Sequence, residues 1–89
     1  MSSPATPSPP GHVVFTEFEG DEGVLVDLNS KRYYTLNETA TLVWRALEKG
    51  LSKDEIVSQM TAAYDVTPER AAASFDALVR ALRTHKLLT

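Results

Sequence analysis

The chain has 89 residues, no cysteine and a formal net charge of −3 at pH 7. A chain of this length forms one domain with a modest core, which disfavours a large catalytic cleft. The negative charge disfavours sequence-independent binding to nucleic acid, and without cysteine there are neither disulfide bonds nor thiolate metal sites.

The first twelve residues contain four of the five prolines, separated mainly by Ser, Ala and Thr. Such a segment has too little apolar area to offset its ordering entropy, so residues 1–12 are predicted to be a disordered Pro-rich tail, and a Pro-rich ligand is the less favoured alternative. The segment lacks the regions of a signal peptide, and no apolar run approaches the ~20 residues that cross a bilayer. Residues 13–89 are therefore expected to form the folded domain of a soluble cytoplasmic protein.

Three short β-prone runs are predicted to form an antiparallel meander. The first covers residues 13–18 and is followed by a turn at 19–23. The second, from Gly23, and the third, Arg32–Leu36, are joined by Asn29-Ser30-Lys31, where Asn and Ser side chains can satisfy backbone groups and Asn tolerates a positive φ. Short links make sequential strands neighbours, so the third strand is predicted to lie at an edge of the sheet.

Side-chain alternation divides the strands between two faces. In the second strand, one face holds Val24, Val26 and Leu28 and the other Leu25 and Asp27. In the third strand Leu36 is expected to point inward just before a helix, which makes Tyr34 the core residue and leaves Tyr33 exposed or half-covered. For Tyr33, a binding role and a plain cross-strand pair are equally favoured.

Three helical segments follow, each with its own start signal. Asn37 is placed to cap the first, which Gly50 ends. Ser52 and Glu55 form a capping box for the second, and Thr67-Pro68 starts the third. The predicted buried stripes are Ala40, Val43, Trp44 and Leu47, then Ile56, Met60, Ala63 and Tyr64, then Ala71, Phe75, Leu78 and Leu82.

The predicted fold class is α+β, with a three-stranded antiparallel sheet followed by three helices. Each helix buries one stripe, so the helices need one another and one face of the sheet. Leu87 and Leu88 are predicted to fold back and close the core.

The third helix has a wider apolar stripe than its packing against the other helices requires. At ~100° per residue, Ala72 and Val79 lie to one side of Phe75, with Asp76 and Arg83 beyond them. One interpretation is a shallow groove floored by Ala72 and Val79 and rimmed by Asp76 and Arg83. That the extra width faces the sheet is equally favoured.

No residues stand at a catalytic or metal-binding spacing. His12 and His85 lie near opposite ends of the chain, and His85, at the end of a helix, is expected to act as a cap. There is no Gly-rich phosphate loop and no G-x-S-x-G. Trp44 lies on an apolar stripe, so core packing is favoured over ligand stacking. The protein is predicted not to be an enzyme and to need no metal or cofactor.

Several strings of residues resemble the PqqD-like proteins. They are Gly23-Val-Leu-Val-Asp-Leu, Arg32-Tyr-Tyr-Thr-Leu-Asn-Glu-Thr-Ala with Trp44 seven residues beyond Asn37, and Leu78-Val79-x-x-Leu82 before Leu87-Leu88. These proteins are RiPP recognition elements, which bind the leader peptides of ribosomally made, modified precursors. The resemblance covers roughly residues 13–89. One departure is Lys86, where the family often has Gly.

The resemblance implies a winged-helix-like unit that binds a leader peptide as a strand added to the third strand, beside the third helix. The implied peptide-binding residues are Lys31, Arg32, Tyr33, Tyr34, Thr35, Leu36, Ala72, Phe75, Asp76, Val79 and Arg83. The family's lasso leaders carry Tyr, Pro and Leu anchors, which would suit a groove of Tyr33 and Val79. Replacing either residue is therefore expected to weaken binding and leave stability nearly unchanged.

Within this family the chain looks most like the stand-alone leader-binding subunit of lasso-peptide biosynthesis. Such a subunit delivers the precursor to a separate leader protease, transglutaminase-like in type. A partner of a radical-SAM enzyme, as PqqD itself is, or of another modifying enzyme would have nearly the same pattern. No nucleic-acid or membrane partner is expected.

Two rival functions come from other classes. A DNA-binding winged helix needs a basic or amide-rich recognition helix, but here Glu69, Arg70, Asp76, Arg80 and Arg83 mix signs, and Asp76 and Arg80 are spaced to pair. A dimerisation module could use the same edge strand.

Overall fold

The computed structural model describes residues 9–18 and 22–88. Its elements are the strands β1 (Val13–Glu17), β2 (Gly23–Asp27) and β3 (Arg32–Leu36), followed by the helices α1 (Glu38–Glu48), α2 (Lys53–Ala63) and α3 (Pro68–Thr84). The predicted antiparallel sheet followed by three helices is therefore confirmed. The predicted tail falls mostly outside the described residues, so the domain limits stay a prediction. Among the described residues, no helix is both long and apolar enough to span a bilayer.

The sheet has the strand order β1-β2-β3, which leaves β3 at an edge as predicted. The rows that face the helices are Val13–Asp27–Arg32, Phe15–Leu25–Tyr34 and Glu17–Gly23–Leu36. The rows on the outer face are Val14–Val26–Tyr33 and Thr16–Val24–Thr35. Gly23 is required here, because a Cβ at this position would collide with the ring of Phe15.

The turn between β2 and β3 is held by a side chain that the sequence reasoning did not use. The Asp27 carboxylate accepts hydrogen bonds from the backbone N–H groups of Asn29, at 2.9 Å, and Ser30, at 3.3 Å. The positive φ falls on Lys31, at 63°, and not on Asn29. The Lys31 N–H donates to the Asp27 carbonyl at 2.9 Å, so the chain closes the turn at this residue.

The helix termini follow their sequence signals. The side chains of Asn37, Ser52 and Thr67 each accept a hydrogen bond from a backbone N–H in the first turn of their helix. Glu55 completes the predicted capping box. Gly50 follows α1 with a φ of 77°, a left-handed conformation that glycine adopts without a steric penalty.

The core lies between the helix-facing side of the sheet and the three helices. Its buried apolar residues are Val13, Leu25, Leu36, Val43, Trp44, Ala46, Leu47, Ile56, Met60, Ala71, Phe75, Val79, Leu82, Leu87 and Leu88. The predicted inward position of Leu36, the burial of Trp44 and the return of Leu87 and Leu88 to the core are thus confirmed.

All three predicted stripes need correction, since Ala40 in α1 and Tyr64 after α2 are half-buried and not buried. In α3, Val79 is buried where Leu78 was expected, and Leu78 is half-buried beside Ala40 and Val43 of α1. The helix is therefore rotated about its axis toward the Val79 side. In α2, Ala63 is exposed, because the helix ends at this residue.

Candidate functional site

The edge strand β3 presents two different sets of side chains. Arg32, Tyr34 and Leu36 point toward the helices, and Tyr33 and Thr35 point to the outer face. Leu36 is buried, Tyr34 is half-buried and Tyr33 is 75% exposed, which confirms the predicted parity of the tyrosine pair. Along the side away from β2, alternate residues of this strand direct backbone N–H and C=O groups outward, and no other strand within residues 9–18 and 22–88 pairs with them.

Tyr34 connects this edge to the end of α3. Its ring lies 5.1 Å, centroid to centroid, from the ring of His85. His85 lies at the end of α3 as predicted, and its backbone N–H donates to the Ala81 carbonyl at 3.2 Å, whereas capping by its side chain stays a prediction. The ring contact was not predicted, because no local pattern in the sequence pairs a strand residue with a helix end so far along the chain.

One face of α3 carries a depression of about 520 Å³. It is lined by Asp76, Val79, Arg80, Arg83 and Thr84. We call β3 together with these five residues the β3–α3 surface. The predicted rim residues Asp76 and Arg83 and the predicted floor residue Val79 all line the depression, and Arg80 and Thr84 are lining residues that the sequence reasoning did not include. Ala72, the other predicted floor residue, is half-buried and is not part of this lining.

Val79 belongs to the core as well as to the depression. It is 7% exposed and packs in the same cluster as Phe75 and Leu82. The expectation that its replacement would leave stability nearly unchanged was therefore wrong, because a buried valine contributes its full transfer free energy. Phe75 and Leu36, which were also predicted to bind peptide, are buried too, so only a small part of each side chain faces the surface.

Tyr33 and Val79 do not share a groove. Tyr33 points to the outer face of the sheet, whereas Val79 is buried on the helix side. The predicted groove of Tyr33 and Val79 is corrected accordingly. The side chains of a strand added to β3 would alternate between the two faces of the sheet. One set would lie beside Tyr33, and the other set would point toward α3.

The predicted pairing of Asp76 with Arg80 gives way to a contact between helices. The Asp76 carboxylate lies 3.0 Å from Nζ of Lys53 at the start of α2, and Nζ also lies 6.0 Å from the ring centroid of Phe75. Both partners of the ion pair are about half exposed, so it contributes little to stability. Its effect here is to neutralise the Asp76 charge at the rim of the depression.

His12 has a role that its position in the sequence did not indicate. Its Nε2 lies 3.2 Å from the Lys86 carbonyl oxygen and 3.9 Å from Oδ1 of Asp27, and its own carbonyl accepts from the Leu28 N–H at 2.8 Å. It thus ties the residues before β1 to the turn after β2 and to the turn after α3.

The Asp27 carboxyl is held in its charged form by this turn. Burial acts to raise its pKa, but hydrogen bonds from Ser30 and Asn29 and the neighbouring His12 outweigh burial and bring the pKa below its ordinary value. The charged carboxylate of Asp27 therefore stabilises the β2–β3 turn.

The chain matches the family model described as "Coenzyme PQQ synthesis protein D (PqqD)" over residues 22–88. This protein belongs to the PqqD family. The match spans the second strand through the last buried leucine, so it includes all of the β3–α3 surface. The family resemblance seen in the sequence is confirmed.

Two solved structures have the PqqD-family fold seen here. "TbiB1 in Complex with the TbiA(beta) Leader Peptide" has a TM-score of 0.86 and 30% sequence identity, covering 91% of this chain and 93% of TbiB1. "Lasso peptide synthetase B1 complexed with the leader peptide" has a TM-score of 0.86 and 25% identity, covering 93% of this chain and 96% of the synthetase subunit. The comparison with curated protein sequences gave no match.

Proposed function

We propose that this protein is a non-catalytic binding protein that captures the leader peptide of a ribosomally made precursor. The leader adds as a fourth strand to β3 and lays its helix-facing side chains against α3. The observation that carries the proposal is the edge strand β3, linked to the end of α3 by the ring contact of Tyr34 with His85, in a PqqD-family chain similar to two proteins that were solved with leader peptides.

The energetics favour a short peptide with a few apolar anchors. Each main-chain hydrogen bond along β3 contributes only ~0.5–1.5 kcal/mol, because water already satisfied the same groups. Two or three buried apolar side chains, at ~1.5–3 kcal/mol each, supply most of the remainder. After the cost of ordering the leader, we expect a binding free energy of about −8 to −12 kcal/mol, which is micromolar to nanomolar affinity.

We further propose that the captured precursor belongs to the lasso-peptide class. The protein then delivers it to a separate leader protease, transglutaminase-like in type, or to another modifying enzyme. Capture takes place in the cytoplasm, where ribosomal precursors are made. The similarity to a lasso peptide synthetase subunit supports the class.

Amide hydrogen exchange measured by NMR tests strand addition directly. The probe is the TbiA(beta) leader peptide, added at up to about 1 mM, which is well above the micromolar dissociation constant at the weak end of the expected range. A scrambled peptide of the same composition is the control. We expect alternate amides of β3 to become protected in the presence of the leader peptide. β1 is the matched internal control, because it is the other edge of the same sheet.

Protection confined to β1, or equal protection by both peptides, would contradict capture at β3. The same preparation, titrated with duplex DNA at two salt concentrations, tests the DNA-binding alternative, for which a steep loss of affinity with salt is the signature.

A further inference from the structure

The charges around the β3–α3 surface differ from those of the chain as a whole. The whole chain has a net charge of −3, with twelve acidic and nine basic residues. On this surface the helix-facing side of β3 begins with Arg32, and the depression on α3 is lined by Arg80 and Arg83. Lys31 precedes β3 and Lys86 follows α3.

Lys31, Arg32 and Lys86 lie at the same end of the surface, and Arg80 lies about one turn before Thr84, the last residue of α3. Arg32 is directly opposite Asp27 in the sheet, and His12 bridges Asp27 to the Lys86 carbonyl. The contact between Tyr34 and His85 brings the next helix-facing residue of β3 against the end of α3. The start of the edge strand therefore lies beside the last turn of the helix.

The acidic residues Asp27 and Asp76 of this region already have partners within the protein. Asp27 accepts hydrogen bonds from its own turn, and Asp76 pairs with Lys53. Within residues 9–18 and 22–88, no carboxylate pairs with the side chain of Arg32 or Arg80. Basic residues in the last turn of α3 complement its dipole, but this does not account for Arg32, which is on a strand.

We propose that the peptide captured on the β3–α3 surface carries an acidic side chain among its helix-facing residues. The inference rests on the proposed function and specifies the chemistry of its ligand. The carboxylate accepts hydrogen bonds from the guanidinium groups of Arg32 and Arg80, and a neighbouring helix-facing apolar side chain covers Val79. Helix-facing positions of an added strand are two residues apart, so the recognised pattern is an Asp or Glu two residues from an aliphatic residue, in either order.

Selection from a display library of random dodecapeptides tests this pattern without knowledge of the natural leader. The full-length protein is immobilised and the enriched peptides are sequenced. We expect Asp or Glu to be enriched two residues from Leu, Ile or Val. In the double variant Arg32→Glu and Arg80→Glu, this preference should change to Lys or Arg at the same spacing.

The control variant is Arg70→Glu, which makes the same change of charge on the same helix. Arg70 is in the first turn of α3, about 15 Å along the helix axis from Arg80 at a rise of ~1.5 Å per residue. This variant should retain the wild-type preference for acidic peptides.

A second measurement uses the wild-type protein alone and does not depend on any variant folding. An enriched peptide is compared with its Glu→Gln or Asp→Asn version by fluorescence anisotropy. We expect about a tenfold loss of affinity in low salt and a smaller loss at 1 M salt, where the Debye length is about 3 Å.

The possible failures are distinguishable. If no peptide is enriched above background, both the proposed function and this inference are overturned. If peptides are enriched without an acidic preference, or if the neutral version of an acidic peptide binds equally well, the inference is overturned while capture of peptides stands.

Discussion

The ring of Tyr34 in β3 packs against the ring of His85 at the end of α3, with centroids 5.1 Å apart and ring planes at 44°. Because β3 is an edge strand, this contact helps to set its distance from α3 and hence the width of the β3–α3 surface at this end.

Replacing His85 by Ala should lower the free energy of unfolding by about 0.5–1.5 kcal/mol, because the pair of rings is lost. Urea denaturation measures the change. His85→Phe keeps a ring in this place and should be close to the wild type. Equal stability of the wild type and His85→Ala would show that the ring contact contributes nothing.

Substitutions at Tyr33 and Val79 should have different effects on peptide binding and on the free energy of unfolding. Val79→Ala removes part of a buried side chain and should lower the free energy of unfolding by about 2 kcal/mol. Tyr33→Ala affects an exposed ring and should change stability by less than about 0.5 kcal/mol while weakening peptide binding. Thermal denaturation together with the anisotropy titration checks both variants. A large loss of stability in Tyr33→Ala would contradict the assignment of this ring to the outer face.

Trp44 is fully buried, and its Nε1–H has no hydrogen-bond partner among the described residues. Trp44→Ala should therefore destabilise by about 3–5 kcal/mol. Trp44→Phe should cost markedly less, because it keeps an aromatic ring and removes the unpaired buried donor. Urea denaturation of the two variants side by side tests the ranking. If both variants lose the same free energy, packing around the indole is looser than the structure shows.

Lys86 has a φ of 60° in the turn after α3, where a side chain carries a steric penalty that glycine does not. Lys86→Gly should raise the free energy of unfolding by about 0.5–1 kcal/mol, even after the greater entropy of glycine in the unfolded chain. The control is Lys49→Gly at the end of α1, where φ is −80° and the substitution should give no gain. Calorimetric melting temperatures compare the two, and an equal shift in both would contradict the conformational argument.

The lowered pKa of Asp27 predicts a loss of stability in acid. A carboxyl whose folded-state pKa lies below its ordinary value of 3.8 stabilises the fold above that value, and the contribution is lost as the pH falls below 3.8 through the folded-state pKa. Asp27→Asn should reduce the slope of stability against pH in this range. Glu55, whose pKa is lowered chiefly by its hydrogen bond from the Ser52 backbone, contributes in the same direction. Urea denaturation of the wild type and of Asp27→Asn across pH 3 to 7 measures how the free energy of unfolding of each depends on pH. Identical slopes in the two proteins would contradict the role of Asp27.

Sequence reasoning predicted the edge strand but only part of the surface beside it. Short links between β1, β2 and β3 require neighbouring antiparallel strands, so β3 could be placed at an edge and its two tyrosines assigned to opposite faces. The residues that complete the surface were predicted less well. Whether Val79 or Leu78 is buried depends on the rotation of α3 about its axis, and both lie within ~60° of Phe75 on the helix.

The sequence by itself determined the six elements, their order and the three helix caps, because each of these depends on residues within a few positions of one another. Only the tertiary structure decided that Tyr33 and Val79 lie on different sides of the sheet, that Asp76 pairs with Lys53, and that His12 bridges the two ends of the domain. These relationships join residues far apart in the chain. Their geometry is set by how the helices pack on the sheet, and no local spacing of residues encodes that packing.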